Sequence, residues 1–351
     1  MTIEELIRQA AEANASDIHL ICGLTPKYRV AGRLLSMREE VLTRTDCEEL
    51  ARVLAGAEFE QLCEIGELDA AATIQGVRFR INLFRQQNSY SAALRLLSDR
   101  IPELRNLGLP PMVEQLTDLQ RGIVLVTGET GSGKSTTLAA MIDEINHRQA
   151  RHIITLEDPI EYIYKPDHSI FNQREIGRDT KSYAAGLRAA LREDPDIILI
   201  GEMRDLFTVE TALTAAETGH LVLTTLHTGS AADSIDRIVG VFPEERQQQI
   251  RMQLSMTLRA VLAQQLLPNK EGTSRVCACE LMIVNNAIRN LIREGKTPQI
   301  ANAVATSARE GAITMDNAIL KLYREGKIRA DTAKLAAHDI DYVERNLNVL
   351  K

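Results

Sequence analysis

The stretch Ile123-Val124-Leu125-Val126-Thr127-Gly128-Glu129-Thr130-Gly131-Ser132-Gly133-Lys134-Ser135-Thr136-Thr137-Leu138 decides the fold. Ile123 to Thr127 read as a short buried strand. A complete GxxxxGK[ST] loop, Gly128 to Ser135, follows at once and opens a segment in which Leu138, Met141, Ile142 and Ile145 recur on one helical face. Glycines let backbone N–H groups turn inward around a phosphate, and the helix start adds its positive end. Lys134 is then placed to reach the terminal phosphates of a nucleotide, and the Ser135 hydroxyl to ligate Mg²⁺. Residues Gly128, Glu129, Thr130, Gly131, Ser132, Gly133, Lys134, Ser135 and Thr136 are therefore expected to hold ATP and Mg²⁺.

Downstream, short apolar strands alternate with helices, the pattern of an α/β domain whose parallel sheet is covered on both sides. His152 to Leu156, Ile197 to Ile200 and Leu221 to Thr225 join Ile123 to Thr127 as candidate strands. Tyr183, Gly186, Leu187, Ala190 and Leu191 share one helical face between them, and Leu206, Val209 and Leu213 another. In such sheets, ligands meet the carboxyl ends of the strands. Glu202, just past Ile200, is thus expected to act as general base or to orient water. Glu157 and Asp158, past Leu156, are candidates to support metal or water, with turn capping as the alternative. His220 and His227 flank the next strand, and His227-Thr228 stands where a γ-phosphate sensor would stand.

The first 97 residues read differently. Ile3, Leu6, Ile7 and Ala10 predict an opening helix with a capping box from Thr2 and Glu5, and Thr45 and Glu48 are expected to cap a second helix ending near Ala55. Lys27 to Val30 and Arg33 to Leu35 form a candidate hairpin around Ala31-Gly32. Leu68 to Ile74 and Val77 to Leu83 form another around Gln75-Gly76, with Arg78, Arg80 and Asn82 on a basic face. The expected organisation is a small α+β domain at 1–97, a proline-containing linker at 98–111, an ATPase core at 112–284 and a helical subdomain at 285–351, with Thr297-Pro298 opening one of its helices.

A chain of 351 residues with 44% apolar content can bury sizeable cores. Its 41 Lys and Arg against 48 Asp and Glu leave a net charge of −7, which disfavours nucleic acid as a partner and with it a DNA translocase. No apolar run is long enough to span a membrane, and Glu4 and Glu5 stand where a secretory signal would be basic and then apolar, so a cytoplasmic protein is expected. Cys22, Cys47, Cys63, Cys277 and Cys279 are odd in number and form no CxxC pair; Cys277 and Cys279 are expected to pack on one face of a strand.

The ordered series Gly128–Ser135, Ile154-Thr155-Leu156-Glu157-Asp158-Pro159-Ile160-Glu161-Tyr162, Gly201-Glu202-Met203-Arg204-Asp205 and His220 to Thr228 resembles the Walker A, Asp box, Walker B and His box of the type II/IV secretion ATPases. Ala287-Ile288-Arg289-Asn290-Leu291-Ile292 resembles the AIRNLI motif of the pilus-retraction members, whereas the extra domain and tetracysteine motif of the pilus-assembly members find no match. The resemblance implies a homohexameric ring, with a PAS-like N-terminal domain over a RecA-like P-loop ATPase core. It implies that Glu202 is the catalytic base, that Glu157 assists, that His227 lies near the γ-phosphate, and that Arg80 and Arg95 approach the phosphates. It also implies a motor peripheral to the cytoplasmic face of the inner membrane, powering type IV pilus retraction and twitching motility against a platform protein, with Ala287 to Ile292 coupling to that partner. Two alternatives stand beside it: an accessory retraction paralogue, and a nucleotide-dependent switch with little turnover. The presence of both Glu157 and Glu202 argues against the switch.

Overall fold

Two sheets, each with its own apolar cluster, account for most of the chain. The computed structural model describes residues 2–30, 32–97 and 100–349. Ala31 of the first expected turn, Ser98 and Asp99 of the expected linker, and the terminal residues 1, 350 and 351 lie outside the described residues. By contacts the chain divides into Met1–Arg100 with Pro159–Ile163, and Ile101–Asp158 with Tyr164–Lys351. Of the expected linker, residues 101–111 therefore group with the second unit. Leu104 is buried there in a short 3₁₀ turn, Leu104–Leu107, because an apolar side chain can lock a proline-bounded segment onto a neighbouring surface. Residues 159–163, expected in the ATPase core, group with the first unit, where the Arg78 guanidinium donates to the Ile160 carbonyl at 2.9 Å.

The first unit contains α1 (Ile3–Glu12), β1 (Asp17–Ile21), β2 (Lys27–Val30), β3 (Arg33–Ser36), α2 (Arg44–Ala55), α3 (Phe59–Ile65), β4 (Glu67–Ile74), β5 (Val77–Gln86) and β6 (Ser89–Leu97). Its strands lie in the order β3-β2-β1-β6-β5-β4, all neighbours antiparallel. Ile3, Leu6 and Ile7 of α1, Leu50 and Leu54 of α2, and Phe79, Ile81, Leu83 and Leu94 of the sheet form one buried cluster. This leaves the opposite face of the sheet polar. Arg29, Asp17, Arg95 and Arg80 run across that face on successive strands, each opposite the next. Gln75 and Gly76, both at positive φ, make the β4–β5 turn, as the hairpin spacing predicts.

Both expected caps need correcting. The Thr2 hydroxyl accepts from the Glu5 N–H at 3.4 Å, but the Glu5 carboxylate turns to Arg38 at 3.0 Å, so the box is half formed. A guanidinium outcompetes a backbone N–H for a carboxylate. Helix α2 is capped by Thr43 and Asp46, not by Thr45 and Glu48. The Asp46 carboxylate accepts from the Thr43 N–H at 2.8 Å while the Thr43 hydroxyl accepts from the Asp46 N–H at 3.2 Å.

The second unit runs α4 (Met112–Leu116), β7 (Gly122–Thr127), α5 (Lys134–Arg148), β8 (His152–Glu157), β9 (Ile170–Glu175), α6 (Tyr183–Ala190), β10 (Ile197–Ile200), α7 (Leu206–Glu217), β11 (Leu221–Leu226), α8 (Ala231–Gly240), α9 (Glu244–Thr257), β12 (Leu258–Pro268) and β13 (Arg275–Ile283). Five helices complete it: α10 (Asn286–Glu294), α11 (Ile300–Thr306), α12 (Met315–Arg324), α13 (Ala330–Ala336) and α14 (Ile340–Val349). The sheet order is β13-β12-β7-β11-β10-β8-β9. The four expected strands are its central β7, β11, β10 and β8, parallel and almost wholly buried, which is why their unbroken apolar runs were legible. The sheet is mixed rather than parallel throughout, because β13 returns antiparallel to β12. Strand β9 escapes sequence reading because it is a mostly exposed or half-buried edge carrying Asn172, Gln173 and Arg174.

The last helices share the sheet's core. Ile288 and Ile292 of α10 join Val222 and Leu258 in one cluster, and Ile319 and Leu320 of α12 pack with Leu267 and Ala278 of β12 and β13. Thr297-Pro298 opens a 3₁₀ turn that leads into α11, and the Thr297 hydroxyl donates to Asp236 at 2.9 Å instead of capping.

Candidate nucleotide-binding and catalytic site

The glycine-rich loop connects β7 to α5 at the carboxyl edge of the sheet. Gly128 has φ of 138°, and a Cβ built on it would stand 2.4 Å from the Gln264 carbonyl oxygen and 2.6 Å from Ser132 Oγ. Only glycine fits between the loop and β12. Gly133, at φ 94°, precedes Lys134, the first residue of α5. The Lys134 ammonium curls back to donate to the carbonyls of Gly128 at 2.8 Å and Glu129 at 2.9 Å, and the residue is 8% exposed. Thr127 Oγ1 and Ser132 Oγ are buried without a hydrogen-bond partner among the described residues. Ser135 is exposed on the first turn of α5, Thr136 is half-buried, and Glu129 and Thr130 are exposed at the loop's crest. Gln264 of β12 donates its amide to Thr137 at 2.9 Å, fixing α5 to the sheet. Helix N-terminus, inward-turned loop and sequestered ammonium together make an anion cradle.

Parallel register carries the acids to the same edge. Ile200 pairs with Leu156 and with Thr224, and Leu226 with Thr127, so the residues following these strands converge. Glu202 places Oε2 2.6 Å from Arg204 Nε and 3.6 Å from His227 Nε2. The Thr225 hydroxyl donates to the Gly201 carbonyl at 2.5 Å and so steers the turn that carries Glu202. The turn is tight at Gly201, where a Cβ would meet Tyr183 Oη at 2.8 Å and the Leu156 carbonyl oxygen at 3.3 Å. Glu157 is buried, and its Oε1 accepts from the Thr155 hydroxyl at 2.6 Å and the Gln173 amide at 3.3 Å; Asp158 beside it is exposed.

Burial pushes the His227 imidazole below its ordinary pKa, and the Lys134 ammonium pushes the same way while Glu202 opposes them. His227 is therefore held neutral at neutral pH, able to hydrogen-bond a phosphate oxygen without adding charge. His220 is structural: its Nδ1 lies 2.9 Å from the Ala215 carbonyl at the end of α7.

Two residues to which sequence reading gave no role complete this edge. Tyr183, noted only as part of a helical face, has its phenol pushed up by burial and further by the nearby carboxylates of Asp158, Glu202 and Glu157. Arg204 holds the would-be base in an ion pair. No local signal marks either role, because a tyrosine on an amphipathic helix and an arginine after an acid are ordinary surface patterns.

Arg80 and Arg95 stand opposite each other on β5 and β6 of the first unit. Arg95 Nε lies 2.9 Å from Asp17, which is also 3.8 Å from Arg29. The motif Ala287 to Ile292 is divided by α10. Ile288 and Ile292 are fully buried and Leu291, half-buried, packs against the same cluster, whereas Ala287 and Asn290 are exposed. Arg289 is half-buried and donates to the Ser255 carbonyl at 2.9 Å, near the end of α9. The helical period decides this split, since i and i+4 share the inward face.

A family model described as type II/IV secretion system protein matches residues 1–336. The chain is 44% identical over 336 residues to the type IV pilus retraction ATPase PilT of Pseudomonas aeruginosa, covering 95% of this chain and 97% of that one. It is 42% identical over 343 residues to the twitching motility protein of Neisseria gonorrhoeae, covering 96% and 91%. Among solved structures, the pilus retraction motor PilT with bound ADP superposes with a TM-score of 0.92 at 48% identity, covering 98% of this chain and 99% of that one.

Proposed function

The chain belongs to the type II/IV secretion system protein family, and from that premise we propose that it is a motor ATPase that powers type IV pilus retraction and twitching motility. The observation that carries the reading is the convergence, on one sheet edge, of the Lys134 cradle with Glu202 and His227. ATP lies with its phosphates in the loop Gly128 to Thr136. Lys134 leaves the loop carbonyls for the β- and γ-phosphates, and Glu202, released from Arg204, takes a proton from the water that attacks the γ-phosphate. His227, neutral, hydrogen-bonds the γ-phosphate oxygens, and buried Glu157 supports the water or the ion's hydration shell.

The exposed Ser135 hydroxyl on the first turn of α5 is a hard oxygen donor that suits Mg²⁺, which would complete its shell with water and phosphate oxygens. When bound, the ion would neutralise phosphate charge. Arg80 and Arg95 would approach the phosphates from the N-terminal domain, so that closure over ATP turns hydrolysis into movement. The assembly is a homohexameric ring, peripheral to the cytoplasmic face of the inner membrane; among the described residues no helix is long and apolar enough to cross a membrane. Its load is a platform protein of the pilus machine, met by Ala287, Arg289 and Asn290, with Ile288, Leu291 and Ile292 holding their helix in place.

Specific ATPase activity measured across a wide range of protein concentration, with Lys134→Ala as the blank, tests this reading. Activity per molecule should rise steeply with concentration as subunits complete one another's sites. Glu202→Gln should keep nucleotide binding and lower turnover by roughly 10²- to 10⁴-fold. Near-normal turnover in that variant would remove Glu202 from the mechanism.

A further inference from the structure

The sheet order implies where the rest of the nucleotide must go. Glu202 and His227 follow β10 and β11, on one side of the loop after β7, while β12 and β13 lie on the other. A nucleotide whose γ-phosphate faces Glu202 therefore extends its base toward β12. A cavity of about 470 Å³ opens there, walled by Gly128 to Ser132, by Gln265, Leu266 and Leu267 at the end of β12, by Leu335 in the last turn of α13, and by His338 from the segment joining α13 to α14. That volume suits a small organic ligand.

We propose that Leu335 and His338, with Gln265, form the base-reading wall of the nucleotide site, so that the C-terminal helices select the nucleotide as well as packing on the sheet. The proposal rests on the reading of Gly128 to Thr136 as an ATP cradle. The wall is built rather than incidental. Both oxygens of Asp316, on α12, accept backbone N–H groups of this segment, His338 at 2.8 Å and Asp339 at 3.1 Å. Helix α12 is in turn packed on β12 and β13 through Ile319 and Leu320. The His338 ring is thereby set against β12, with its Nε2 3.3 Å from the Gln265 amide nitrogen. That pairing makes the amide the donor and the ring nitrogen the acceptor, leaving the amide oxygen and a ring N–H to meet the polar edge of a base. Leu335 is 90% exposed at the cavity rim, an apolar side chain that a base face would cover.

The test separates base from phosphates. Binding of ADP and of inorganic tripolyphosphate to the full chain is measured by calorimetry for the wild type, His338→Ala, Gln265→Ala and Leu335→Ser. Leu335 is so exposed that its replacement leaves folding intact, which keeps the test decisive if a His338 variant unfolds. The expected result is ADP weakened about tenfold in each variant, with tripolyphosphate unchanged. Unchanged ADP affinity overturns the inference and leaves the ATPase reading standing. Equal weakening of ADP and tripolyphosphate also overturns it, since the loop itself would then have moved. Failure of the wild type to bind either ligand removes the ATP cradle and this inference together.

Discussion

Replacing Gly128 by alanine perturbs the loop at its most constrained point. Its φ of 138° lies where a side chain is strained, at a cost of about 1–3 kcal/mol. The new methyl would in addition stand 2.4 Å from the Gln264 carbonyl oxygen, a backbone atom of β12, held between β7 and β13, that cannot rotate away. Overpacking of that kind costs about 1–3 kcal/mol, so the total is about 4 kcal/mol. Gly131 is the internal control. It also has positive φ, 81°, but a Cβ there meets nothing within 4 Å among the described residues, so Gly131→Ala should cost only about 1–2 kcal/mol. At roughly 2–4 °C per kcal/mol for a domain of this size, Gly128→Ala should melt about 8–16 °C below wild type and Gly131→Ala about 2–8 °C below it. Differential scanning calorimetry of the three proteins, without nucleotide, reads this directly. Two variants melting within about 2 °C of each other would refute the close approach of β12 as the reason for glycine at position 128.

Three further outcomes follow from the geometry. Burial and Lys134 lower the His227 pKa, so the folded protein binds fewer protons there than the unfolded chain. The stability tied to this neutral ring should fall as pH drops below about 6.5, and an NMR titration midpoint at or above that value contradicts the assignment. Glu280 is buried beneath α8, where its carboxylate accepts the Ala231 N–H at 2.8 Å, and burial pushes its pKa up. The folded state thus holds its proton to higher pH than the unfolded chain, and stability is lost as pH rises through that window; Glu280→Gln should melt higher than wild type at pH 8, with the gap closing toward pH 4. On α10, Ile292→Ala should cost about 2–4 kcal/mol in urea unfolding, whereas Asn290→Ala should change stability by less than about 0.5 kcal/mol and still impair twitching if the motif's exposed face couples to a partner; equal stability losses would contradict the inward–outward split.

Legibility tracked burial and local chemistry. The four central strands could be read because both faces of each are covered, which leaves an unbroken apolar run. The phosphate loop could be read because its glycines and lysine are consecutive. Strands β9 and β12 were missed for opposite reasons. The first is a polar edge, and the second follows α9 with no turn residue to mark the change. The Thr43–Asp46 cap was misplaced by two residues because a threonine with an acid three residues on recurs at Thr45 and Glu48, and only the backbone decides between them.

What the sequence determined alone is everything that depends on neighbours along the chain: the strand–loop–helix cradle, the carboxylates at strand ends, the hairpin at Gln75-Gly76 and the family. Tertiary structure decided what depends on neighbours in space. It paired Glu202 with Arg204 and His227, surrounded Tyr183 with carboxylates, turned Ile288 and Ile292 inward, and brought His338 beside Gln265, 73 residues away in sequence. Backbone conformation and hydrophobic period are local and survive in any one-dimensional reading. Electrostatic pairing and close approach are set by which surfaces the sheet order brings together, and no spacing along the chain encodes that order.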